Sequence, residues 1–245
     1  WIIPKGGEAL TFLVGTRGSK LSLAQTNWVI SELKKENEGS EFEIKTITTK
    51  GDTDSRALFT IDQRGIFEKE IDKAVAEKEI DFAVHSLKDV PSDIAESLTI
   101  ACIPIRESSN DVIITKDGSN IKTIQSGAVI GTSSLRRAVQ VSRIRQDVVV
   151  KPVRGNIETR INKVIDGKFD AIILAEAGIS RLGLDVKHSI LSTKDFPPSP
   201  GQGALAIVCR ADDEKTISML KKIEDEKSRN EIEAERALSE YVESG

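Results

Sequence analysis

Cysteine and histidine are scarce in this 245-residue chain, with two of each. His85 and His188 stand far apart and no cysteines cluster, so no transition-metal ligand set is expected. Cys102 and Cys209 both lie in apolar runs and read as small buried hydrophobes, which excludes a disulfide framework and points to a reducing, cytoplasmic compartment. No apolar run approaches the ~20 residues that cross a bilayer. The opening Trp1-Ile2-Ile3-Pro4-Lys5-Gly6-Gly7 lacks the apolar core and small-residue cleavage site of a signal peptide, so no membrane association is expected. Gly-x-x-x-x-Gly-Lys-Ser/Thr is missing, and no Gly-x-Gly-x-x-Gly opens a helix, which removes the common nucleotide loops. A net charge of −4 provides no bulk attraction for nucleic acid. Fixed-period repeats and low-complexity tracts are absent as well.

What is present is an ordinary globular composition, 38% hydrophobic and 30% charged. Strand-like and helix-like segments alternate along it. Phe12–Gly15, Phe42–Thr46, Phe82–Val84 and Leu98–Ile103 read as strands, with helices over about Lys20–Glu36 and through the stripe Ile66, Phe67, Ile71 and Val75. A second series has strands at Asp111–Ile114, Ala128–Gly131, Val148–Val150 and Ala171–Leu174, with helices from about Ser134 to Arg145 and from Ile157 to Asp166. The Pro/Gly-rich stretch Phe196–Gly203 interrupts before one more strand, Ala204–Cys209, and a mostly helical end from Asp213. The fold class expected is α/β, two doubly wound lobes with mainly parallel sheets around an inter-domain cleft. The first lobe would span 10–104 and be completed by 202–222, the second 105–201, and 223–245 would begin a third unit.

Three strand ends carry the same kind of turn: Gly15-Thr16-Arg17-Gly18-Ser19, Gly131-Thr132-Ser133-Ser134-Leu135-Arg136-Arg137 and Arg154-Gly155-Asn156-Ile157-Glu158-Thr159-Arg160. Each joins a glycine, hydroxyl or amide side chains and arginine at a helix start. Free backbone N–H groups, the positive end of the helix dipole and guanidinium forks together make an anion site. The competing reading makes Ser133, Ser134 and Asn156 plain N-caps with solvated arginines. Three such turns in an acidic chain favour a ligand of many negative charges held between lobes. A fourth strand end, His85-Ser86-Leu87-Lys88-Asp89-Val90-Pro91, places titratable groups where open α/β sheets bind ligands.

These segments, with Gly65-Ile66-Phe67-Glu68-Lys69-Glu70, Lys50-Gly51-Asp52, Ala175–Gly183 and Gly201-Gln202-Gly203-Ala204, resemble the porphobilinogen deaminase (hydroxymethylbilane synthase) family, in the family's order over about 12–240. The resemblance implies a periplasmic-binding-protein-like fold and a monomeric cytoplasmic transferase. It would join four porphobilinogen molecules head to tail into hydroxymethylbilane, on a dipyrromethane cofactor held by a thioether to cysteine. The partners are porphobilinogen and the growing polypyrrole, whose acetates and propionates suit an arginine-rich cleft. By position Asp89 would be the catalytic carboxylate. Arg17, Ser19, Ser86, Lys88, Thr132, Ser134, Arg136, Arg137, Arg154, Gly155, Arg160 and Arg181 would bind cofactor and substrate. The family's cofactor cysteine follows a helix like Glu233–Leu238 and a Gly-rich turn, whereas this chain stops at Gly245. Neither Cys102 nor Cys209 matches that position, so the third domain is expected to be largely absent and the cofactor not held covalently. A non-catalytic two-lobe anion-binding protein, or an inactive family member, is the alternative.

Overall fold

In the computed structural model, residues 10–49, 68–91 and 93–242 are described. The motif segments Lys50-Gly51-Asp52 and Gly65-Ile66-Phe67 lie outside the described residues. The first sheet is built from β1 (Leu10–Thr16), β2 (Ser40–Thr46), β3 (Phe82–Ser86) and β4 (Leu98–Cys102), joined later by β10 (Leu205–Arg210), in the order β2-β1-β3-β10-β4. The second contains β5 (Asp111–Thr115), β6 (Val129–Gly131), β7 (Val149–Lys151), β8 (Ala171–Ala175) and β9 (Ser189–Leu191), in the order β7-β6-β8-β5-β9.

Both sheets are mixed rather than mainly parallel. β1 pairs in parallel with β2 and β3, but β10 runs antiparallel between β3 and β4. Likewise β6 is parallel to β7 and β8, while β5 is antiparallel to β8 and β9. The cause is chain routing: β5 and β10 are the strands entered directly after a crossover between lobes. Neither follows a βαβ unit, the connection that enforces parallel pairing.

Side-chain alternation then builds a core on each sheet face. In β10, Leu205, Ile207 and Cys209 join Val29 and Leu33 of α1 (Lys20–Glu36) and Leu220 of α6 (Glu214–Leu220). Ala206 and Val208 face the other way, toward Ile71 and Val75 of α2 (Lys69–Ala76) and Ile232 of α7 (Glu226–Tyr241). In the second lobe Ile113 and Ile173 pack with Val141 of α3 (Leu135–Ile144). Val112, Ile114 and Ile172 pack with Ile161 and Val164 of α4 (Ile157–Ile165) and Ile179 of α5 (Glu176–Arg181). Burying each large aliphatic contributes roughly 1.5–3 kcal/mol, so both lobes are anchored from both faces. Among the described residues no helix is long and apolar enough to cross a membrane.

The two crossovers run side by side. Glu107 N donates to Gly203 O at 3.1 Å, and Arg181 Nη2 donates to the same oxygen at 2.7 Å. Helix α7 ties the crossovers down: Glu235 accepts from Arg106 Nη1 and Nη2 at 2.7 and 3.0 Å and from Gly201 N at 2.7 Å. Arg236 Nη2 donates to Pro91 O at 2.6 Å, so α7 also holds the segment after Asp89.

Candidate active site

The strand ends that look like anion sites in the sequence all open helices in the structure. Ser19 caps α1, its Oγ accepting from Ser22 N at 3.1 Å. Ser134 caps α3 through Arg137 N at 3.4 Å, and Asn156 caps α4 through Thr159 N at 2.8 Å. Capping and anion binding are therefore not alternatives here. Each cap uses one of the first-turn N–H groups that a helix leaves unpaired, and others remain. Thr132 is buried and its Oγ1 accepts from Ser134 N at 3.1 Å, which shapes the second turn. Gly155 sits at φ +110°, and a Cβ there would come within 2.6 Å of Thr159 Cγ2, so the third turn requires glycine.

Strand β3 carries His85 and Ser86 to the end of the first sheet. The buried His85 Nε2 lies 3.0 Å from Oδ1 of the half-buried Asp72 on α2, a pair that pins strand to helix. Ser86 Oγ accepts from Gln25 Nε2 of α1 at 3.0 Å. A single 3-10 turn, Leu87–Asp89, follows and buries Leu87 while leaving Lys88 and Asp89 exposed. Although solvent reaches the Lys88 side chain, protein surrounds it. Desolvation lowers its pKa, partly opposed by the charges of Asp89 and Asp111, and the positive charges of Arg137 and Arg136 lower it further.

Those influences identify which predicted residues converge. The charges of Asp89, Arg137 and Arg136 reach Lys88, those of Arg136 and Asp89 reach Arg137, and that of Arg137 reaches Arg160, adding to the desolvation that lowers the Arg160 pKa. Arg160 Nε also donates to Gly155 O at 2.7 Å. Arg136 spreads its donors over Pro197 O at 2.7 Å, Gln140 Oε1 at 3.1 Å and Asp111 Oδ2 at 2.7 Å. Arg137 is buried and binds Asp111 Oδ1 through Nε at 3.0 Å and Nη2 at 2.7 Å, with Nη1 3.3 Å from Ile173 O. Lys20 Nζ on α1 pairs with Glu158 Oε2 on α4 at 2.9 Å, bringing the first and third turns together from opposite lobes.

Other predicted residues sit elsewhere. Arg181 is at the crossovers, where desolvation lowers its pKa to about 10 against the opposing charge of Glu107. Arg154 is exposed at the start of its turn, and its carbonyl accepts from Lys163 Nζ at 2.8 Å. Arg17 is half-buried after β1. Asp111 and Gln202 are not among the residues that sequence reasoning assigns to the site. The signal for Asp111 is its charge opening the apolar run Asp111–Ile114, and for Gln202 a lone amide between two glycines.

Cys102 and Cys209 are both fully buried on core strands, and burial pushes the Cys209 thiol up to about 12 and the Cys102 thiol higher still. A concavity of about 570 Å³ on the first lobe, lined by Ile100, Ile217, Lys221, Glu224 and Arg229 among others, contains none of the predicted site residues. Its Arg229 and Glu224 pair with each other, so it presents no cluster of unmatched charge.

Comparison with known proteins bears on the family and the fold. Residues 12–218 match the family described as porphobilinogen deaminase, dipyromethane cofactor binding domain. The chain is 71% identical over 236 residues to the "Probable porphobilinogen deaminase" of Nitrosopumilus maritimus strain SCM1, covering 96% of this chain and 76% of that protein. It is 45% identical over 238 residues to the porphobilinogen deaminase of Bacillus subtilis strain 168, with the same coverage, 96% and 76%. Among solved structures, the BenM effector binding domain with its effector benzoate is similar at TM-score 0.51 and 13% identity, covering 96% of this chain and 95% of that one. The Bordetella pertussis BvgS VFT2 domain, as a double mutant, is similar at TM-score 0.50 and 15% identity, covering 93% and 91%. At such identities these two structures speak for the two-lobe fold alone, while the sequence relatives and the matched domain speak for the family. This chain belongs to the porphobilinogen deaminase family.

Proposed function

We propose that the space between the lobes is where this transferase of tetrapyrrole biosynthesis holds porphobilinogen and the growing polypyrrole, and that Asp89 is its catalytic carboxylate. One observation carries the reading. Among the described residues, Arg136 and Arg137 share Asp111, Lys88 lies within reach of their charges and that of Asp89, and Arg160 within reach of Arg137, four cations beside two carboxylates in a chain of net charge −4. Such an excess suits a ligand bearing an acetate and a propionate on every pyrrole ring. The dipyrromethane cofactor of the family, with four carboxylates, fits the same cation set, and when bound it supplies the primer on which rings are added. Cys102 and Cys209, buried with raised pKa values, do not serve as its attachment point.

The chain's own residues divide the work. Loss of ammonia from porphobilinogen leaves a cationic methylene-pyrrolenine, and the exposed carboxylate of Asp89 stabilises that cation as it forms. Asp89 also takes part in moving the proton lost when two rings join. Lys88, Arg136 and Arg160 bind ring carboxylates, with Arg17, Ser19, Ser86, Ser134, Arg154 and the first-turn amides of the capped helices contributing from both lobes. Arg181 holds the crossovers beside this space.

The experiment is titration of porphobilinogen into Arg160→Ala and Arg160→Lys proteins. Affinity should fall about tenfold or more in the alanine variant, the loss expected for one charged hydrogen bond. Lysine should recover only part, since ammonium cannot fork onto a carboxylate. Unchanged binding in Arg160→Ala would remove the reading.

A further inference from the structure

Asp111 has no part in the chemistry assigned to Asp89, yet it is fully buried at the start of β5 and entirely committed. It accepts from Arg136 Nη2 at 2.7 Å, from Arg137 Nε and Nη2 at 3.0 and 2.7 Å, and from Gln202 Nε2 at 2.9 Å. Gln202 belongs to the second crossover and is itself buried. Its Nε2 also donates to Ser109 O in the first crossover at 2.8 Å, and its Oε1 accepts from Arg137 Nη2 at 3.3 Å. One carboxylate and one amide thus join the arginine pair of the second lobe to both connections between the lobes.

We infer that Asp111 is a positioning residue for polycarboxylate binding, holding the partly open Arg136 toward the ligand beside the buried Arg137, and that Gln202 makes this arrangement depend on the crossovers. The inference rests on the reading given under Proposed function. Two adjacent guanidinium groups in the first turn of a helix repel each other and, left alone, turn apart into solvent. A buried carboxylate bridging both removes that repulsion and fixes the plane of each fork. Gln202 then sets where the bridge sits relative to the hinge, so a change in the setting of the lobes changes the cation pattern a ligand meets.

Simple charge ballast gives the opposite sign. If Asp111 served only to neutralise, removing its charge would make the cleft more positive and tighten anion binding. If it positions, removal weakens binding despite the extra positive charge. The test uses Asp111→Asn, Asp111→Glu and Gln202→Leu in the full chain, each checked by thermal melting. Each is titrated with a synthetic dipyrromethane bearing two acetates and two propionates, and with porphobilinogen.

Asp111→Asn is expected to weaken the tetracarboxylate about tenfold, the scale of one lost charge-assisted contact. Asp111→Glu, which restores the charge one methylene away, should recover part of that loss. Gln202→Leu removes no charge and keeps the question open to measurement if Asp111→Asn does not fold; it should weaken the tetracarboxylate several-fold. Unchanged or tighter binding in a folded Asp111→Asn or Gln202→Leu protein overturns the inference alone. Wild-type protein that binds neither compound overturns the cleft reading and this inference with it.

Discussion

Replacing Gly203 by alanine should uncouple the two lobes, and the size of the effect follows from the crossover geometry. Gly203 has φ +89°, a conformation that costs an L-residue about 1–2 kcal/mol. A Cβ there would stand 2.4 Å from Glu107 O and 2.5 Å from Ser108 O, both backbone atoms that cannot swing away. Relief requires the crossovers to part, which breaks the 3.1 Å bond from Glu107 N and the 2.7 Å bond from Arg181 to Gly203 O. The first contributes about 0.5–1.5 kcal/mol and the second, from a charged donor, about 1.5–3 kcal/mol. Gly127→Ala is the internal control: Gly127 has φ +78°, and a Cβ there would meet nothing within 4 Å, so only the conformational cost applies. Gly203→Ala should therefore be less stable than Gly127→Ala by roughly 2–4 kcal/mol, or on the order of 10 °C in a protein of this size. Differential scanning calorimetry reads the difference and also shows whether one transition splits into two. Melting within about 2 °C of the control would refute the claim that close crossover contact holds the lobes together.

Three further expectations follow from other parts of the structure. Lys20→Glu or Glu158→Lys should each weaken the contact between lobes by about 0.2–1 kcal/mol, and the double swap should restore it; a double-mutant cycle in urea checks this, with no coupling as the contrary result. In acid, Asp117, Asp147 and Asp225 should be lost as stabilising groups. Hydrogen bonds from Ser119, Arg145 and Ser228 respectively hold them below the ordinary 3.8. Because their folded pKa values lie below the unfolded one, the stability they add is present above the unfolded value and is lost as pH falls from there through the lower folded values. Urea midpoints that stay flat between about pH 5 and pH 2 would contradict this. Cys102 and Cys209, whose thiols burial pushes up, should resist thiol reagents at about pH 8 in the folded chain and react in denaturant; rapid labelling of native protein would show a more open core than described.

Much of the fold is local and legible in the sequence for that reason. The pattern predicts helix α1 from about Lys20 to Glu36, the span it occupies, because Ser19 caps it and aliphatic spacing repeats along it. The strands are equally plain as short apolar runs. Two elements escape: β9, Ser189–Leu191, has only two apolar residues where β6 and β7 lie in longer apolar runs, and α5 has six residues, too few for a helical period to declare itself. The antiparallel placement of β10 also escapes, since strand direction after a long crossover is a property of chain routing and not of residue pattern. In the site, the turns are visible because capping residues and arginines recur there. Their sharing of Asp111 is not, because 25 residues separate Asp111 from Arg136 and 26 from Arg137. Arg137 illustrates the limit: its sequence context resembles that of Arg136, yet it is buried and tied to Asp111, Ile173 and Gln202, while Arg136 stays partly open.

The central claim is that Asp89 acts on substrate held by the cations around it. The direct measurement is porphobilinogen consumption and hydroxymethylbilane formation by the cofactor-loaded full protein, comparing Asp89→Ala with wild type after thermal melting shows both folded. Loss of a preorganised charge partner for the developing cation should lower the rate by about two to three orders of magnitude, with porphobilinogen binding largely retained. Near-wild-type turnover by Asp89→Ala would contradict the account.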